Sequence, residues 1–144
     1  MSRVIDPNSM GKKRNRLTRA VVLAARELLK QPEPNAVSRD LAAFIVLSLE
    51  AISETIDPSV AAWEKRGYWV KADRFRMDWI WTGKLAKQMR TAIVDEDWSQ
   101  IAMVTVQVAQ KLTKIKVSDR HRMGTPWVGA WIHLKENTNV PSGE

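Results

Sequence analysis

Five cations within eight residues, Lys12, Lys13, Arg14, Arg16 and Arg19, form the densest chemistry-bearing group in the chain. Side chains of this kind suit phosphate oxygens, because each cation that neutralises a backbone phosphate releases a condensed counterion. Arginine adds a planar fork of donors that matches two oxygens at once. A second set, Lys65, Arg66, Lys71 and Arg74, carries the same chemistry, and a third, Arg120 and Arg122 with His121 between them, follows Lys114 and Lys116. Around the second set stand Trp63, Trp69 and Trp81, off the apolar lines of their helices or at helix ends. Such rings stack on bases or anchor a protein partner. These eleven cations and three tryptophans are the expected binding residues.

No residue pattern nominates a catalyst or a cofactor. The chain has no cysteine, which removes thiol chemistry, disulfides and Cys-ligated zinc. Its two histidines, His121 and His133, lack the four-residue helical spacing of a metal pair. Asp95, Glu96 and Asp97 stand where a helix begins, and acidic residues are favoured there by capping and by the helix dipole. Asp73 with Arg76 and Arg74 with Asp78 have the spacing of ion pairs along one helix. A glycine-rich phosphate loop, a nucleophile elbow and a carboxylate pair in apolar surroundings are all missing from the sequence.

The formal net charge of +7 is unevenly distributed. Residues 1–30 hold eight cations and two carboxylates, whereas 31–60 hold one cation and five carboxylates. The balance turns basic again over 61–94, acidic over 95–110 and basic over 111–122. Alternation of this kind fits two arrangements: neighbouring elements that neutralise each other, within the fold or between copies, or a basic face left open for an anionic partner.

Helical periodicity dominates the elements that must position these groups. Leu17, Ala20, Val21, Ala24 and Leu28 form one stripe of a first helix over about 10–30, which Pro32 and Pro34 end. Asn8 or Ser9 caps an early start, or residues 1–16 form a basic arm or frayed helix start. With an early start, Lys12, Arg16, Arg19, Arg26 and Lys30 share one face, interrupted by Leu23. Asn35 or Ser38 opens a second helix to about residue 56, with Leu41, Ile45, Leu49, Ile52 and Ile56 facing inward, and its nearly uniform apolarity makes it the central helix. Asp57 as a cap and Pro58 at the first helical position predict a short helix over 58–66, closed by Gly67. The 3.6 period then runs unbroken from Tyr68 to Ile93, predicting one long brace over 69–94, with Gly83 and Ala86 clearing space for a close neighbour. Asp97 and Gln100 cap a fifth helix, whose stripe Trp98, Ile101, Val104, Val108, Leu112 and Ile115 overrides a strand-like alternation of valines. Thr125 and Pro126 open a short Trp-bearing final helix, followed by a disordered tail over 137–144.

The expected fold is all-α: a single compact, bundle-like domain of five or six helices over 17–136 with a basic N-terminal arm. Trp79, Trp98, Trp127 and Trp131 belong to its core. No transmembrane or secretory segment is expected, because the longest apolar run, over 41–49, is half of a bilayer span. Absent cysteine suits a cytoplasmic setting. The expected function is non-enzymatic binding of an anionic partner, foremost nucleic acid. The alternative is a self-associating assembly or adaptor protein that docks on an acidic protein surface. Peripheral membrane binding through Trp127 and Trp131 is disfavoured, since their helix offers only Lys135 as a cation.

Overall fold

The computed structural model describes residues 7–138, and these fold as an all-α domain without strands. Its helices are α1 (Pro7–Lys30), α2 (Ala36–Glu54), α3 (Ile56–Lys65), α4 (Trp69–Trp79), α5 (Trp81–Val94), α6 (Trp98–Lys111) and α7 (Ala130–Thr138). Positions 1–6 of the N-terminal arm and 139–144 of the tail lie outside the described residues. The arm from Pro7 onward is helix, and α7 continues two residues into the segment expected as tail.

The apolar line of α2 puts it at the centre of a body formed with α1, α5, α6 and α7. Leu41, Ile45, Leu49 and Ile52 are fully buried there, packed among Val21 and Ala24 of α1, Met89 of α5, Val104 and Val108 of α6, and Leu134 of α7. Asn35 caps α2 by accepting from the Ser38 backbone N–H at 2.9 Å. Gly83 delivers the close approach its sequence context implies. A Cβ there would stand 3.0 Å from Ser53 Oγ of α2. Arg90 of α5 fastens the same helix pair through both oxygens of Glu50, at 2.8 and 2.9 Å.

Helices α3 and α4 form a separate arm with its own small cluster of Ile56, Val60 and Ala72, flanked by Trp63, Phe75 and Trp79. The turn joining them is a full Schellman closure. Gly67 takes φ 78°, its N–H donates to Glu64 O at 2.9 Å, and the Tyr68 N–H donates to Trp63 O at 3.0 Å. The hydrophobic contact that accompanies this motif is the edge-on Trp63–Tyr68 ring pair, with centroids 5.9 Å apart.

Four boundaries differ from expectation, one of them being the end of α6 at Lys111, which leaves Leu112 in a turn and Ile115 beyond it. The helix over 69–94 is broken at Ile80, where Thr82, fully buried, donates its hydroxyl to Trp79 O at 2.8 Å. Hydroxyl groups that bond back to the preceding turn compete with the helical ladder. The two halves also answer to different neighbours, α4 to α3 and α5 to α2. Asp57 is not the cap of α3 but lies in its first turn, because Thr55 stays in the helical region and lets α3 follow α2 directly. Pro58 then occupies a position whose missing N–H has no intrahelical acceptor. Finally, 126–129 are turns, and α7 begins only at Ala130, since Gly129 at φ 86° cannot continue a helix through Trp127. The opening of α7 is capped across the fold: Asp40 of α2 accepts from the Gly129 and Trp131 N–H groups at 3.2 and 3.0 Å. A carboxylate at this end of a helix also meets the positive pole of its dipole.

Candidate functional site

The early start of α1 settles how its cations are arranged. At 100° per residue, Lys12, Arg16 and Arg19 fall on one outward stripe, and all three are exposed. Lys13, half-buried, flanks them. None of these four has an ion-pair partner among the described residues.

Arg14 departs from this group. It lies one turn before Leu17 and Thr18 and seven residues before Val21, in line with the buried face. Its Nη1 donates to Thr55 Oγ1 at 3.0 Å and to Ser59 Oγ at 3.2 Å. The guanidinium carbon sits 4.6 Å from the centroid of Phe75 and 5.5 Å from that of Trp79. Burial pushes its pKa below the usual arginine value, a sign of desolvation in a group that stays charged at physiological pH. Arg14 therefore pins the arm to α1 and is not presented outward. Heptad spacing does not single it out in the sequence, because Lys13 and Arg16 stand seven residues before Ala20 and Leu23, which are buried as Val21 is.

The shared face expected from Lys12 to Lys30 is divided. Leu23, at its middle, is 3% exposed. Beyond it Arg26 donates to Val117 O at 3.0 Å and pairs with Asp119 at 3.5 Å, while Lys30 pairs with Glu27 at 3.3 Å. The Arg26 anchor has a second effect: it ties the loop carrying Arg120 and Arg122 to α1, about 10 Å along the axis from Arg19 at 1.5 Å rise per residue. Arg120 and Arg122 are exposed and have no ion-pair partner among the described residues.

At the arm, Lys65, Arg66, Lys71 and Arg74 are all exposed. Lys71 is turned back over the rings of Trp63 and Tyr68, with Nζ 5.4 and 5.2 Å from their centroids. Of the three expected stacking rings only Trp69 is presented openly. Trp63 is half-buried against the arm cluster, and Trp81 is half-buried against the body core. Sequence reasoning missed Tyr68, which is exposed beside Trp69. Neither expected intrahelical pair forms. Arg76 instead reaches Asp57 at 3.3 Å, and Arg74 bonds to no described residue. The Trp127 and Trp131 surface is closed as well: Trp127 is buried, and Trp131 is half-buried beneath Arg39 and Lys135.

An open apolar groove of about 470 Å³ runs between α1, α2 and the start of α7, lined by Leu17, Phe44, Leu47, Ala51, Val128 and His133. His133 is its one titratable lining residue, and it stands 3.8 Å from Glu136. Asp97 caps α6, accepting from the Gln100 N–H at 3.1 Å, and Glu96 closes the end of α5, so the acidic run acts on helix ends. Among the described residues, no three His, Asp or Glu side chains gather where they could hold a metal ion.

Compared with known proteins, the chain matches no family model, no curated protein and no solved structure. Among the described residues, no helix is long and apolar enough to cross a membrane.

Proposed function

We propose that the protein is a non-enzymatic binding protein for nucleic acid, with the outer face of α1 as its principal contact surface. The observation that carries this reading is the row of exposed Lys12, Arg16 and Arg19, flanked by Lys13, with no carboxylate bound to it among the described residues. Arg120 and Arg122 extend the row from the loop held by Arg26, and Lys65 and Arg66 add a further site at the tip of the arm. A row of unpaired cations about 10 Å long matches the spacing of a few consecutive phosphates, which bind through counterion release without base recognition. Trp69 supplies a ring for stacking if the partner is single-stranded. A cytoplasmic setting goes with this reading.

The test is fluorescence anisotropy of labelled single- and double-stranded oligonucleotides across a salt series. Binding should weaken with a log-log slope of roughly −0.9 for each phosphate contacted on duplex. Charge reversal at Arg16 and Arg19 should flatten that slope and weaken binding, while the same change at Arg14 should act through the stability of the arm. Absence of binding at about 50 mM salt, where such contacts are strong, would dismiss the proposal.

A further inference from the structure

The outer face of α6 carries no charge. From Trp98 to Gln110 the helix has no Asp, Glu, Lys or Arg, and no other helix among the described residues has as long a run. The water-facing side of a helix is ordinarily charged. Ile101, Val104, Thr105 and Val108 point into the body, and on the opposite side Ser99, Met103, Val106 and Gln110 are all exposed, Met103 by 57% and Val106 by 42%. Their spacing of four, three and four confines them to an arc of about 60° at 100° per residue, the seam pattern of paired helices. Charge is gathered instead at the two ends of this seam, with opposite signs. Asp95 precedes α6, and Glu33, from the turn after α1, lines a groove of about 210 Å³ beside the same end with Trp98 and Ala102. Lys111 closes the helix at the other end, and Lys114 follows it. All four are exposed, and none of their side chains makes a hydrogen bond or ion pair with a described residue.

The polarity of the seam selects its occupant. Nucleic acid or an anionic membrane would meet carboxylates at one end, and lipid would strand the Ser99 and Gln110 side chains. A uniformly acidic or basic protein surface satisfies one end and opposes the other. A second copy of this chain set antiparallel satisfies both, because a twofold axis perpendicular to the helix exchanges its ends. With that axis midway between Met103 and Val106, Met103 of each copy lies opposite Val106 of the other, and Ser99 lies opposite Gln110. The end bearing Asp95 and Glu33 then comes level with the end bearing Lys111 and Lys114, and the uncharged stripe between them brings no like charges together. We infer that the protein forms an antiparallel homodimer through this face of α6. The seam is about 21 Å long at 1.5 Å rise per residue. A contact of one helix on one helix falls at the small end of specific interfaces, and association in the micromolar range is expected. The face includes neither the row on α1 nor the arm cations nor Trp69, so each copy keeps those surfaces open.

Sedimentation equilibrium of the full chain across the micromolar range tests this, with circular dichroism melting as the control for folding. The wild-type chain should dimerise reversibly. Met103→Asp, which sets a carboxylate from each copy at the centre of the seam, should yield a monomer. Lys111→Glu with Lys114→Glu makes both ends acidic and should weaken the dimer at least about tenfold with little change in melting. Glu33→Lys with Asp95→Lys makes both ends basic and should do the same. Combining all four changes inverts the polarity, restores opposite charges and should recover association. Because the chain has no cysteine, its orientation can be read directly. Ser99→Cys chains mixed with Gln110→Cys chains should cross-link to one another, and neither should cross-link to itself. A chain that stays monomeric throughout, a dimer indifferent to Met103→Asp, a fourfold variant no better than either double one, or Ser99→Cys chains that cross-link to themselves overturns the inference. Binding of the wild-type chain to vesicles of anionic lipid that Met103→Asp abolishes would likewise overturn it, by giving the face to a membrane. None of these readouts depends on nucleic acid, so this inference and the proposed function fail separately.

Discussion

The body and the arm of this protein are built on opposite terms. The body wraps α2 on several sides, so its cohesion comes from side chains that are wholly withdrawn from water. Of apolar side chains the arm buries only Ile56, Val60 and Ala72 outright, and it is completed by half-exposed rings, a glycine turn and one arginine. A small cluster of that kind contributes little hydrophobic stabilisation by itself, so the arm depends on where it is tied down: by the direct passage from α2 through Thr55, by Trp79, which touches both clusters, and by Arg14. Its outer side leaves Trp69, Val70 and Met77 open to water, while the body exposes Val94, Met103, Val128 and Ile132 around a core that is closed beneath them.

Truncation in the body should have the largest effect. Leu49 is fully buried at the centre, and Leu49→Ala should lower global stability by about 2–5 kcal/mol, measured by urea denaturation. If the body is one cooperative unit, amide exchange should rise together in α1, α2, α5 and α6. Faster exchange confined to α2 would show that the body is looser than its packing implies.

Cutting the tie between the two regions should cost less and act on one side only. Arg14→Ala removes two hydrogen bonds and two ring contacts, for an expected loss of about 1–2 kcal/mol. The fall should be concentrated in exchange protection of α3 and α4, with the slowest amides of α2 nearly unaffected. Arg14→Lys, which keeps the charge but loses the planar fork, should fall in between. Equal deprotection of α2 would mean that arm and body unfold as one, and the contrast drawn between them would be lost.

Much of the body is written in the sequence, because one dominant force sets it. The line Leu41, Ile45, Leu49, Ile52 identifies α2 as central, and Gly83 marks the close approach before any neighbour is known. The arm is less legible for a physical reason. Helical period reports which residues share a face, not which neighbour that face meets, so the break at Ile80 leaves no mark: both halves keep register through it, and neither proline nor glycine stands there. The buried Thr82 hydroxyl that bonds back there is no marker either, since Thr18 makes the same bond inside the unbroken α1. The same blindness covers the candidate site. A cluster of cations reads alike whether each points to water or inward, and the helical period does not separate the pin from the open row, since Lys13 and Arg16 stand at the same step from buried Ala20 and Leu23 as Arg14 from Val21. Asp40 gives no local signal at all, since the helix it caps is ninety residues further along the chain.

That long-range cap offers a way to weaken one edge of the body without touching its centre. Asp40→Ala leaves the Gly129 and Trp131 N–H groups without their acceptor and removes a negative charge from the positive end of α7. The expected cost is about 1 kcal/mol, as for loss of an ordinary N-cap. It should appear as fraying of α7, with Leu134 losing protection while α1 and α6 keep theirs. Asp40→Asn retains an acceptor and should do less damage. A loss shared evenly by every helix would show that α7 is integral to the body and not a layer upon it.

The smallest expected effect has the opposite sign and compares the two regions at the same motif. Both α3 and α5 end in a Schellman closure, the arm with Gly67 at φ 78° and the body with Glu96 at φ 53°. At the second site the Glu96 N–H donates to Ile93 O at 3.0 Å and the Asp97 N–H to Ala92 O at 2.9 Å, so the hydrogen bonds are as complete as in the arm. What differs is the side chain, whose Cβ crowds the backbone in the left-handed region. Glycine relieves that crowding but gives the unfolded chain more freedom, and the two nearly balance. Because Glu96 is exposed and has no ion-pair partner among the described residues, nothing else is lost on replacement. Glu96→Gly should therefore raise stability by about 0.5 kcal/mol, whereas Gly67→Ala should lower it by about 1 kcal/mol, both read from denaturation midpoints at constant slope. If Glu96→Gly destabilises instead, the glutamate contributes through its side chain, and the end of α5 is held by more than its backbone bonds.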